Sequence, residues 1–289
     1  MDFWQAIAYT ELDQLTGFAR LAEGLGFTGV TAGDHFITPA RIDSPYPYTD
    51  DQKPWVRPDD PSPDPLILAG ALAQVTTRLR FMVTVYILPM RDPIAAAKAI
   101  STTAALSNNR LVLGVGIGWM KEEFQAAGHD FHTRGRRCDE ALEVVQKLLR
   151  GDMVEHHGEF YDFPPIQMCP VPTRPVPILI GGHSEAAFRR AARYDGWQGA
   201  HYDVDEIPPL IERFEKARVQ AGRSDSPRQV VVAVNELSDT DQCKRLEDAG
   251  VTGVIFMPPT FRGVYASSLE TKRQAMEETA ERLIVPLNG

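Results

Sequence analysis

Eight short apolar runs alternate with eight amphipathic stretches along this chain, and that alternation narrows the fold more than any single motif does. The runs are Phe3–Ala8, Thr28–Ala32, Arg80–Leu88, Arg110–Val115, Val176–Ile180, Trp197–Ala200, Gln229–Val234 and Thr252–Met257. Those reading RFMVTVYIL and QVVVAV are rich in the β-branched and aromatic residues that suit strands. Helices are predicted over Glu11–Leu25, Asp64–Val75, Pro93–Leu106, Arg136–Leu149, Ser184–Tyr194, Asp205–Ala221, Thr240–Ala249 and Leu269–Ile284. In the first, Leu12, Leu15, Phe18, Ala19, Ala22 and Leu25 share one helical face, and Gly26 follows as a cap. Pro65 suits a first turn and Ser184 an N-cap. Continuous apolar strands fit a parallel sheet buried on both faces. Eight strand–helix units in 289 residues predict a (β/α)8 TIM barrel, read as a single domain over residues 1–289. A doubly wound sheet is the alternative; the count of eight, with no clear break, favours the barrel.

Composition argues against several partners. The chain is 43% hydrophobic and 24% charged, ordinary for a soluble globular protein. A formal net charge of -9 argues against nucleic acid or an anionic membrane surface as partner. Cys138, Cys169 and Cys243 lie far apart, with neither metal-type spacing nor a disulfide framework, so a reducing, cytoplasmic setting is expected. The start MDFWQAIAYTELDQ lacks the basic region of a signal peptide, and no apolar run has the length of a membrane span.

Two connections are long. Residues 36–63 (Phe36 to Pro63) follow the second strand, which puts them at the C-terminal rim where barrel active sites sit. Residues 152–175 contain MVEHHGEFYDF, whose alternation predicts a small hairpin.

The strand ends hold the candidate chemistry. Gly33-Asp34-His35 closes the second strand, and Asp34-His35 is the acid/base candidate because histidine titrates near neutrality and a carboxylate can orient it. His129, His132, His156 and His157 lie in loop or hairpin segments without ligand-spaced partners, so no metal site is expected. Gly181-Gly182 before Ser184 reads either as an anion cradle at a helix start or as a plain turn. Gly114, Gly116 and Gly118 in GVGIGW have neither dinucleotide nor P-loop spacing. They clear a strand end for a flat ring, or they allow close packing at a barrel corner; both readings stand.

Four blocks, RLVLGVGIGWMKEEFQAAG, RGRRCDEALEVVQKLLRG, GEFYDF and PILIGGHSEAAFRRAARYDGW, resemble in order and spacing the bacterial luciferase-like flavin and deazaflavin oxidoreductases. Within these the wording is most similar to the actinobacterial-type branch assigned to coenzyme F420. The resemblance spans nearly the whole chain. It implies a barrel with an insertion segment after strand four, a homodimer formed through helices two and three, and hydride transfer between F420 and a small organic substrate. An FMN-dependent two-component monooxygenase and a non-catalytic flavin or deazaflavin carrier are the alternatives. It further implies His35 as proton donor, with Asp34 beside it, and a non-prolyl cis peptide at Thr84-Val85 backing the ring. Gly181, Gly182 and His183 match the cofactor-phosphate loop. Gly116, Gly118 and Trp119, with Glu122 nearby, match the segment beside the polyol tail. One departure stands out: sugar-phosphate dehydrogenases of this superfamily carry a catalytic glutamate at the position held here by Trp119. Tyr46, Tyr48, Trp55 and Trp119 are candidates for an apolar lid over the substrate, or for ordinary loop packing.

Overall fold

A computed structural model of the chain describes residues 1–49, 51–54, 56–257 and 267–288. Eight parallel strands close into a barrel: β1 (Asp2–Ala6), β2 (Gly29–Ala32), β3 (Arg80–Ile87), β4 (Leu111–Gly116), β7 (Ile178–Gly181), β8 (Gly196–Tyr202), β9 (Gln229–Val234) and β10 (Gly253–Phe256). They neighbour one another in chain order, and β10 closes the ring against β1 with Phe3 opposite Val254. The hairpin β5 (Val154–His157) and β6 (Asp162–Ile166) stands apart as a two-stranded antiparallel sheet. Each predicted strand is present, so the TIM barrel holds and the doubly wound sheet does not.

The helices are α1 (Leu15–Gly24), α2 (Pro65–Ala73), α3 (Pro93–Leu106), α4 (Lys121–Ala126), α5 (Arg134–Leu149), α6 (Glu185–Ala191), α7 (Ile207–Gln220), α8 (Thr240–Asp248) and α9 (Leu269–Thr279). Side-chain caps start several of them: Asp64 accepts from Leu66 N at 2.9 Å, and Asp92 from Ala95 N at 2.9 Å. Such caps each contribute about 1 kcal/mol. Among the described residues no helix is long and apolar enough to cross a membrane.

Burial sorts by strand parity, as the alternation of side chains along a strand requires. Trp4, Met82, Val112, Leu179, Val231 and Ile255 fill the barrel interior. Their neighbours, such as Phe81, Val83, Leu111 and Leu113, point outward into the layer shared with the helices. Full burial of each such side chain is worth roughly 1.5–3 kcal/mol.

Among the departures from the predicted elements, three stand out. Helix α1 begins at Leu15, not Glu11, because the buried ammonium of Lys272 on α9 draws Glu11 and Gln14 into a turn. Strand β8 runs on to Tyr202, two residues past the predicted end. The insertion between β4 and β7 carries a short helix, α4, that the sequence pattern did not announce.

Candidate active site

A cavity of about 180 Å³ opens at the C-terminal mouth of the barrel. Ala6, Thr31, Thr84, Gln198, Ala233 and Ile255 contribute its strand-end lining. The long 36–63 connection supplies the outer wall through Tyr46, Pro54, Val56 and residues 61–63. His35 and Trp119 enter from the sides. Their rings meet edge-on at 6.3 Å between centroids, and Trp119 meets Tyr46 at 5.0 Å. Tyr48 lies one step further out, edge-on to His183 at 5.3 Å and to His201 at 6.1 Å. Trp55, named with these aromatics, lies outside the described residues.

The Asp34-His35 pair separates in space. Leaving β2, the two side chains turn opposite ways. His35 lines the cavity, while Asp34 accepts from Arg91 Nη1 at 2.7 Å, Arg91 Nη2 at 2.8 Å and Ile87 N at 2.8 Å. The Arg91 guanidinium lies between the rings of Phe36, at 4.0 Å, and Tyr86, at 4.1 Å. Burial pushes the Asp34 carboxyl above its ordinary range, and Arg91 pulls it back. Asp34 is thus a buried anchor tying the end of β2 to the turn after β3. The expectation that it orients His35 is corrected: its acceptor oxygens are committed elsewhere.

Glu123 takes that position instead. It is 3% exposed on α4, and its Oε2 lies 3.2 Å from His35 Nδ1. Its Oε1 accepts from Phe36 N at 2.9 Å. Glu122, expected beside a cofactor tail, faces the other way and accepts from Asp43 N at 2.9 Å, Ser44 N at 3.1 Å and Ser44 Oγ at 2.7 Å. It fastens the long connection and does not line the cavity. Sequence reading passed over Glu123 because its partner lies 88 residues away.

The glycines resolve toward close packing. The Thr84-Val85 peptide is cis, as the resemblance implied, and the β3–β4 register shifts between Val83 and Tyr86. A Cβ on Gly116 would collide with Val85 Cγ2, and one on Gly181 would fall 2.6 Å from Val85 Cγ1. Gly118 has φ +79°, and a Cβ there would meet Phe124 at 2.6 Å and Ile87 at 2.9 Å. The space left by Gly116 and Gly118 is therefore filled by protein, which corrects the reading that they clear room for a cofactor tail. Gly33 differs: a Cβ there would meet nothing nearer than the Thr84 carbonyl at 3.8 Å. Gly33 and Thr84 together form a wall poor in side chains.

Around β7, Gly182 has φ +101° and its carbonyl accepts from Trp197 Nε1 at 2.7 Å. Ser184 caps α6, as predicted, accepting from Ala187 N at 3.2 Å. His183 Nδ1 lies 3.0 Å from Tyr202 Oη. Burial, reinforced by Arg213, lowers the pKa of His183. Two further residues escaped the motif reading. His201, at the end of β8 and on the cavity wall, is held by burial at a pKa of about 4, so it is neutral at pH 7. Gln198 is buried on the same wall, and among the described residues its Oε1 has no hydrogen-bond partner. The rule that barrel chemistry gathers at strand C-termini would have found His201, had β8 been read to its full length.

An eight-stranded barrel with a cavity at its C-terminal mouth, a histidine in the cavity wall and an insertion after β4 defines a class of barrel binding site. The chain belongs to the luciferase-like monooxygenase family, whose profile matches residues 2–284. It is 42% identical over 286 residues to an uncharacterised protein of Mycobacterium tuberculosis strain H37Rv, covering 98% of this chain and 99% of that one. It is 25% identical over 285 residues to the F420-dependent glucose-6-phosphate dehydrogenase of Amycolatopsis mediterranei, covering 94% of this chain and 80% of that one. The crystal structure of the monooxygenase RslO1 from Streptomyces bottropensis shares the fold over the full length of both chains, with a TM-score of 0.75 at 19% identity.

Proposed function

We propose that this chain is a coenzyme F420-dependent oxidoreductase that exchanges hydride with a small organic substrate. The observation that carries this reading is the wall of Gly33 and Thr84 facing a cavity that His35 enters. The residues present fit a flat heteroaromatic ring. Gly33 leaves room beside the peptide. The Amycolatopsis relative named as F420-dependent supports the deazaflavin over FMN.

When bound, the deazaflavin supplies two-electron hydride chemistry. The chain's own part is placement and proton handling. Thr84, Val85 and Gly33 position the ring. Asp34 anchors the start of the loop that carries His35. His35 gives or takes the substrate proton. Trp119 and Tyr46 cover the cavity and keep water from the reacting atoms. We assign Gly181, Gly182 and His183 to the cofactor phosphate; they stand outside the cavity lining, with His183 edge-on to Tyr48. With Trp119 in place of a carboxylate, a sugar phosphate is a poor substrate. We also read residues 1–289 as one domain, acting in the cytoplasm as a homodimer joined through α2 and α3.

Titrating the purified apoprotein with F420 and with FMN, followed by fluorescence, tests this reading. F420 is expected to bind in the micromolar range or tighter, and FMN weakly. Tight FMN binding with no F420 binding overturns it. Oxygen consumption with reduced FMN would then identify a monooxygenase.

A further inference from the structure

We infer that Glu123 is the positioning residue of His35, setting which ring nitrogen carries the proton and so which nitrogen meets the substrate. This rests on the reading of His35 as the proton-handling group. The argument is one of donors and acceptors. A carboxylate only accepts, and Glu123 has two oxygens with two assigned partners. Oε1 takes the Phe36 amide hydrogen at 2.9 Å, and Oε2 faces His35 Nδ1 at 3.2 Å. In neutral His35 the hydrogen therefore sits on Nδ1. No hydrogen bond among the described residues engages Nε2, and the ring lines the cavity.

Two consequences follow for the chemistry. Neutral His35 meets the cavity with a lone pair on Nε2, the form that accepts a proton. Were a hydroxyl-bearing substrate oxidised here, with the cofactor supplying the hydride acceptor, its O–H proton would pass to Nε2 as the C=O bond forms. The resulting imidazolium keeps its Nδ1–H directed at the buried Glu123 carboxylate. In the reverse direction that imidazolium would return the proton to the carbonyl oxygen.

Glu123 is suited to this role by its setting. It is 3% exposed, sits in the first turn of α4, and holds two consecutive residues of the chain, 35 and 36. Ring and carboxylate are thus fixed by the same short segment, and the ring has little freedom to turn.

Glu123→Gln gives a sharp test, because it conserves shape while changing donors. The oxygen of the new carboxamide is retained by the Phe36 amide, which can only donate. The carboxamide NH2 then faces Nδ1 and donates to it. The neutral ring must carry its hydrogen on Nε2 instead. Long-range 1H–15N NMR of the ligand-free protein, above the pH at which His35 charges, reads this directly. Wild type is expected to show Nδ1 protonated and Nε2 as the bare nitrogen, and Glu123→Gln the reverse. With cofactor and substrate, Glu123→Gln is expected to lower kcat roughly 10²-fold, with KM changed less than about threefold. Glu123→Asp, which keeps the acceptor, should restore the Nδ1–H form. A wild-type spectrum with the hydrogen on Nε2, or a Glu123→Gln spectrum identical to wild type, overturns the proposal. Because the tautomer is read without cofactor, a failed F420 titration would sink the functional reading and leave this result standing.

Discussion

At the scale of single residues, His201 carries a pH dependence. Burial holds its folded pKa at about 4, against an ordinary value of 6.5. The unfolded chain therefore takes up a proton near pH 6.5, while the folded protein declines it until about pH 4. Its contribution to stability is fully present above pH 6.5 and is lost as pH falls through that window. The full loss is about 3 kcal/mol. The Tyr48 ring beside it, itself raised to about 12 by burial, stays neutral throughout and does not offset the effect. Urea denaturation at steps from pH 7 to pH 4 should show the midpoint falling, and His201→Gln should flatten that fall. An equally steep fall in His201→Gln would assign the effect to other groups.

At the scale of elements, three strands meet on one side chain. Val85, at the register shift of β3, occupies the space that Gly116 of β4 and Gly181 of β7 leave open. Gly116→Ala is expected to cost about 1–3 kcal/mol through overpacking. In a Val85→Ala background the same change should cost less than about 1 kcal/mol, since the colliding methyl is gone. Thermal denaturation of the two single variants and the double variant measures the coupling. Additive losses would show that the glycine is needed for some other reason. This junction also marks where the sequence was legible and where it was not. Strands such as β3 and β9 could be read because unbroken apolar runs are needed wherever both faces of a sheet are buried. The purpose of the glycines could not, because it depends on a valine about thirty residues before Gly116 and nearly a hundred before Gly181. Glu123 and His35 pose the same difficulty, as do Asp34 and Arg91: contacts between distant positions leave no local periodicity. Helix α4, only 6 residues long, offers too few turns for one.

At the scale of the whole molecule, the outward face of α2 invites a partner. Ile67 is 76% exposed there, and Leu106 is 58% exposed at the end of neighbouring α3. If these helices join two copies, Ile67→Glu should convert a dimer to a folded monomer, seen by light scattering after size exclusion with an unchanged circular dichroism spectrum. A wild-type monomer at micromolar concentration would reject the expected assembly. The short helix α4 has a different reach. Glu122 holds residues 43 and 44, and Glu123 holds residues 35 and 36, so two adjacent carboxylates clasp both ends of one stretch of the long connection. For anyone grafting this connection onto a related barrel to change what it accepts, the transplant unit is not one loop. The β2–α2 connection and the start of the β4 insertion are inherited as a lock and its key, and a chimera that moves one without the other would arrive with its histidine unmoored.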